Sequence, residues 1–379
     1  MKRLLSWIIT WAMASHGLSQ LNNAIFNGTQ HFLFREHGLS PKDSMMDLTR
    51  RKPGFGTQVL SYLKNDEFNE FHNPGKTLIG SQIGIGFKQY LERPNAYVYI
   101  GGLLNYPYGG DKIQAYPLIQ FTKSTKHSAL VVGSLHGTTR HRLFEALYSY
   151  DYALTQPMEY GLQYLGRKRG LSWDIWLDWR QMAHRESSQQ EIISFGLNSS
   201  IALNKAGSHN RWSIPISSLL FHKGGEFLKV MQPVQNQWNA SIGLRGDLLQ
   251  NRFRIESVFM GSMDFSPKLL HRFKDGHAWL TNIRWNMNIH HTLALSHYYA
   301  EEFYAPLGPN LYQSEQINFP NRESRFRNFL HLRYQYNHTL VPKKASLDFR
   351  IEPIYHLESQ KVAFSTGLYL KYVIGREIY

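Results

Sequence analysis

The chain has 379 residues, a formal net charge of +14 and no cysteine. The missing thiols exclude disulfides, cysteine-ligated metals and a lipid anchor on an N-terminal cysteine. The basic balance taken alone suits nucleic acid, anionic solutes or anionic lipid headgroups.

Residues Met1–Ser19 read as a secretory signal peptide. Lys2 and Arg3 form its basic start, Leu4–Ala14 its short apolar stretch, and Gly17 and Ser19 the small-residue cleavage positions. The alternative, an N-terminal anchor helix, suffers from an apolar stretch too short to span a bilayer. Export argues against a nucleic-acid partner. Residues 20–56 read as a lead-in or plug, with Arg50–Lys52 before Pro53 as a loop. No later stretch is long and apolar enough for a transmembrane helix. A membrane-spanning chain of this kind must therefore close into a barrel, because open sheet edges leave backbone groups unpaired in lipid.

From residue 57 the chain alternates in short segments. One strand precedes residue 78, either Thr57–Leu63 or His31–Glu36. Next come 78–88, 95–105, 112–122, 127–137 and 158–166. Leu171–Arg180 is the sharpest segment: Leu171, Trp173, Ile175, Leu177 and Trp179 make one apolar face, with Asp174, Asp178 and Arg180 on the other. Alternation continues through 191–203, 210–221, 238–247, 252–260, 277–288, 292–302, 325–336, 346–355 and 362–374. Three residues spoil the apolar phase: His297, Asn328 and Pro353. Short and long connections largely alternate from residue 122, the longest being Thr138–Pro157 and Phe303–Ser324.

With its signal peptide, its Trp173 and Trp179 pair, its strand pattern through Tyr372 and its terminal Tyr379, the chain resembles a Gram-negative outer-membrane β-barrel protein of porin-like size. The resemblance covers most of residues 57–379 and matches no single named family. It implies an all-β, transmembrane, antiparallel up-and-down barrel of about 16 strands, between 14 and 18. It also implies an outer-membrane location, lipid contacts and handling by the barrel-insertion machinery. The end departs from the usual pattern: Glu377 and Gly375 are in phase with Tyr379, whereas the apolar phase runs through Leu368, Leu370, Tyr372 and Ile374. A soluble β-sandwich or propeller is the competing architecture.

On the barrel reading, the inward phase carries Asp174, Asp178, Arg180, Arg245, Arg254, Arg284, Arg327, Arg333, Arg350 and Lys371 as candidate lumen-lining residues. Charges on opposed walls would orient polar solutes, and a basic excess would favour anions. The plainer role for these arginines is pairing with Asp247, Glu256, Asp348 and Glu352. Trp173, Trp179, Trp212, Trp238, Tyr334, Tyr355 and Tyr372 are expected in the lipid-facing girdle. The loop 138–157 offers Arg140, His141, Arg142, Glu145, Tyr148 and Asp151 as a constriction or glycan-binding surface, or as a loop packed on itself. None of the 18 histidines falls in a recognised ligand spacing, and neither metal nor other cofactor is expected. Neither a Gly-x-Ser-x-Gly elbow nor a His-x-Ser dyad is present; a triad assembled from separate strands would leave no such trace. These features point first to a passive channel for small polar or anionic solutes. An outer-membrane enzyme acting on lipid or glycan is the second expectation, requiring a reactive cluster at one rim and a blocked barrel. A non-transporting assembly or secretion component is the third.

Overall fold

The computed structural model describes residues 53–377, except 71–72, 92–94, 111, 184–188, 206–207, 225–232, 268–271, 316–323 and 343. Residues 1–19, read above as a signal peptide, most of the expected lead-in 20–56, and Tyr379 lie outside these residues.

Alternating side chains in the described region build sixteen antiparallel strands, each hydrogen-bonded to its sequence neighbours. They are β1 (Gly54–Glu70), β2 (Asn73–Tyr90), β3 (Ala96–Pro107), β4 (Gln114–Ser124), β5 (Ser128–Ser134), β6 (Tyr160–Lys168), β7 (Leu171–Gln181) and β8 (Glu191–Ala202). Then follow β9 (Arg211–Gly224), β10 (Gln235–Leu248), β11 (Phe253–Asp264), β12 (Asp275–Asn286), β13 (His291–Glu301), β14 (Phe326–Val341), β15 (Ala345–His356) and β16 (Lys361–Glu377). β1 pairs with β16 from Gly54–Glu377 to Glu67–Phe364, which closes the barrel and removes both edges. Of the two candidates for the first strand, the segment containing Thr57–Leu63 forms it; His31–Glu36 lies outside the described residues. β14 runs beyond the expected 325–336, because Asn337 and His338 keep pairing with Asp348 and Leu347.

Connections that follow even-numbered strands are short, as at 125–127, 169–170 and 287–290. The longest, 135–159 and 302–325, both lie at the opposite end. The first starts earlier than the sequence suggests, because Leu135 leaves the β5 ladder to join a buried interior cluster.

The outward phase is apolar and exposed, as at Ile85, Ile119, Ile242 and Ile283. The inward phase differs between the two ends. Toward the long loops part of it is apolar: Val258, Met260, Leu280, Tyr298 and Phe329 pack with Phe144 and Leu147 of one inserted loop and Phe303 and Leu311 of the other. Each such buried side chain is worth about 1.5–3 kcal/mol. The two loops also bond to each other. The Ser149 amide donates to the Leu307 carbonyl at 2.7 Å, and the Tyr312 hydroxyl donates to Glu145 at 3.1 Å. Gly308 permits this approach, since a Cβ there would lie 2.2 Å from the Ala146 carbonyl oxygen. Toward the short turns the inward phase carries Arg245, Arg254, Arg284 and Lys371.

Candidate functional site

Two sets of polar side chains stand out, one locking the inserted loop and one interrupting the apolar outer wall. In the first, the one-turn 3₁₀ helix Thr138–His141 carries His141 against β7. Its Nδ1 lies 2.9 Å from Asp174 and its Nε2 lies 2.7 Å from Glu159. Its ring stacks on Trp176 at 3.6 Å and 11°. Burial opposes charge on this imidazole, but the two carboxylates outweigh it and lift the pKa to about 10. Both ring nitrogens therefore carry protons, and the group is a fixed imidazolium. Burial likewise opposes ionisation of Glu159, yet His141 holds it down at about 2. Tyr148 donates to Glu159 and accepts from Arg180 at 2.8 Å. Asp178 accepts the Tyr160 amide at 3.0 Å and lies 3.5 Å from Arg180.

Two further ion clusters hold the same loop. Arg333 bridges Glu145 at 3.1 Å and Glu352 at 2.6 Å. Asp151 takes Lys64 at 2.8 Å and Lys76 at 2.5 Å; these cations overcome its burial and hold it at about 2. Arg327 donates to the Leu311 carbonyl of the other inserted loop at 3.1 Å. Arg350 is buried above the Tyr369 ring at 5.4 Å, and Lys371 is half-buried. Arg140 lies 3.3 Å from His136, whereas Arg142 has a left-handed backbone and an exposed side chain. Trp179, Trp212, Trp238, Tyr355 and Tyr372 are exposed outside, with Trp173 and Tyr334 half-buried.

Sequence reasoning missed Trp176, Glu159 and the second inserted loop. Trp176 gave the one available signal, a tryptophan in the charged phase of β7. Gly196 on β8 makes room for it, since a Cβ there would lie 2.0 Å from the indole.

The second set comprises residues that spoil the outward pattern, and it spans β12, β13 and β14. His297 is exposed, and its Nε2 lies 2.9 Å from the Asn328 amide oxygen. An amide oxygen only accepts, so Nε2 carries the proton and Nδ1 is left as the basic nitrogen. Thr281 faces His297 across the β12–β13 ladder. Further along the same ladder His277 faces Glu301. His277 and Glu301 line a rim cavity of about 280 Å³ with Asp275, Gly276 and Glu302. Arg325 bridges Glu301 at 2.9 Å and Glu302 at 3.0 Å. Exposed Phe259, Trp279, Leu295 and Phe326 surround the polar residues. At about 3.4 Å per residue and a tilt of 35–45°, His297 sits roughly 10 Å below the strand end. Such an arrangement can hold an acyl chain on apolar wall beside a base. Among the described residues no group of three or more His, Asp or Glu is placed to hold a metal.

Comparison with solved structures shows the outer-membrane barrel fold. OprD from Pseudomonas aeruginosa aligns at a TM-score of 0.53 and 10% identity, covering 86% of this chain and 94% of that one. A loop L8 deletion mutant of OmpT, an outer-membrane protein of Vibrio cholerae, aligns at 0.51 and 11% identity, covering 85% and 99%. OccAB1 of Acinetobacter baumannii aligns at 0.50 and 6% identity, covering 85% and 96%. Comparison with curated proteins finds no match. The family model described as lipid A 3'-O-deacylase-type matches residues 47–375, nearly the whole described barrel. The chain belongs to the lipid A 3'-O-deacylase-type family.

Proposed function

We propose that the protein hydrolyses an acyl ester of an outer-leaflet glycolipid of the lipid A class, on the outer wall of the barrel. The observation that carries this reading is the His297–Asn328 pair, a polar couple exposed in an apolar face. Two further facts support it: the family match and the packing of both inserted loops across the interior, which opposes solute passage. Long loops mark the outer end of such barrels, so His297 would meet lipid near the headgroup boundary, where ester linkages lie.

In the proposed step, His297 Nδ1 takes a proton from water as its oxygen attacks the acyl carbonyl. The ester carbon–oxygen bond then breaks, and the proton passes to the departing sugar oxygen. The products are a free fatty acid and a sugar hydroxyl. Asn328 holds the tautomer and ring angle. The proposed nucleophile is water, since no His-x-Ser dyad is present and position 299, two residues after the histidine, is tyrosine. The test is mass spectrometry of lipid A vesicles incubated with the refolded protein. The expected result is loss of one acyl chain with release of its fatty acid; unchanged lipid A would refute the proposal.

A passive channel for small polar or anionic solutes is the second reading, favoured by the exposed Arg142 and half-buried Arg245 and Lys371 inside the wall. Planar-bilayer recordings separate the two: discrete anion-selective steps support the channel, and insertion without conductance supports the blocked hydrolase.

A further inference from the structure

The short-turn end of the interior holds arginines that hydrolysis on the outer wall does not use. Arg254 on β11 and Arg284 on β12 are direct cross-strand partners. Both are about 95% buried, at 5% and 4% relative exposure. Like charges facing each other across a ladder are destabilising, and burial strengthens the repulsion. Arg245 on β10 adds a third guanidinium to the group, with Asp247 and Glu256 as the neighbouring carboxylates. Both carboxylates also act on Arg284, yet each is held chiefly by another arginine. Glu256 accepts from Arg245 Nε at 2.5 Å, and Asp247 accepts from Arg254 Nε at 2.5 Å and from its Nη2. Arg254 Nη1 is buried with no hydrogen-bond partner.

The inserted loop brings a fourth arginine. The left-handed backbone of Arg142, at φ 57°, accompanies an exposed side chain within electrostatic reach of Arg245, Arg167 and Asp174. Asp174 is held by His141 and Gln163, so it leaves the arginine excess in place. Arg254 and Arg284 lie close to the ends of their strands at the short turns, and Arg245 is only half-buried. The group therefore lies near that end. A planar guanidinium fork matches the oxygens of phosphate, and several forks together favour a multiply charged oxyanion over chloride.

We propose that Arg142, Arg245, Arg254 and Arg284 form a binding site for phosphate, free or as the phosphate group of a small solute, entered from the short-turn end of the barrel. The anion neutralises the Arg254–Arg284 repulsion and takes the free Nη1 of Arg254. It also ties the inserted loop to the wall through Arg142.

The test is isothermal titration of the refolded full chain in neutral detergent with inorganic phosphate, against chloride at equal ionic strength. The expected result is saturable phosphate binding that weakens about tenfold or more in Arg254→Gln and in Arg284→Gln. Arg142→Gln lies in a connecting loop and breaks no strand pair, so it keeps the test decisive where a strand variant does not fold; it is expected to weaken binding as well. His297→Gln should bind phosphate like the parent, so loss of acyl release and loss of phosphate binding are separable. Absence of saturable binding in the parent, or equal affinity in the parent and Arg142→Gln, would overturn the proposal. So would binding of a short-chain phosphatidic acid with none of inorganic phosphate, which would place the anion on the lipid-facing wall.

Discussion

His141 inside the barrel and His297 on its outer wall are both oriented by hydrogen bonds, and the difference lies in what each has left over. His141 spends both ring nitrogens on carboxylates and its face on Trp176, and it has no exposed surface. It is a cross-link, holding the inserted loop to β7. His297 spends one nitrogen on an amide and is exposed on the outer wall. Histidine beside carboxylates is the usual sign of acid–base chemistry, yet here the more heavily charged cluster has no room for a substrate. The sparser pair has both a basic nitrogen and an approach.

The comparison can be broken most sharply at His297. His297→Gln should lower acyl release by about 10²- to 10⁴-fold, as for loss of a general base. Its folding, read by the gel-mobility shift of heated and unheated samples, should stay unchanged. On the interior side, His141→Phe removes the imidazolium that joins Glu159 and Asp174. Breaking a buried ion pair costs about 3–5 kcal/mol, so limited proteolysis should cut the 135–159 loop far faster than in the parent. The wall itself gives the next effect. Ile175→Arg should cost about 2–4 kcal/mol in folding into bilayers. Asp178→Asn should refold normally, because its Oδ1 can still accept the Tyr160 amide. The smallest expected effect is that of Asn328→Ala, roughly a tenfold loss of activity from an unfixed tautomer.

Titration sharpens the same contrast. The folded pKa of His141 lies above its free value of 6.5, so its contribution to loop anchoring is complete below that value. That contribution is lost as pH rises through about 10. Glu159 is held below its free value of 4.5, so its contribution is complete above that pH and is lost as pH falls through about 2. Proteolysis of the loop should therefore be slowest between about pH 4.5 and 6.5 and should rise through pH 10. A flat profile would mean that apolar packing alone holds the loop.

Strand number, closure and loop alternation were legible because a two-residue period recurs along the chain and the outer phase of the stronger strands carries no charge. The outer-wall pair was legible only as an irregularity. His297 and Asn328 break the alternation, and nothing in the sequence shows that adjacent strands bring them within 2.9 Å. Pro353 breaks it too, yet it sits in the β15–β16 register opposite Phe364 without joining a polar set. The interior was legible as a charged phase, with Arg245, Arg254 and Arg284 toward the short turns and Asp178, Arg180 and Arg327 toward the long loops. Toward the long loops the sequence did not show that Val258, Met260, Tyr298 and Phe329 face inward, where inserted loops rather than water meet them, because such partners lie far away in sequence. Tyr312 and Glu145 show this distance, joined across the barrel from two different connections.

The most direct measurement compares acyl release from lipid A vesicles by His297→Gln and His141→Gln, both confirmed as folded by the gel-mobility shift. His297→Gln should be inactive, and His141→Gln should retain activity with a loop more open to protease. Activity surviving in His297→Gln and vanishing in His141→Gln would place the chemistry inside the barrel and contradict the outer-wall site.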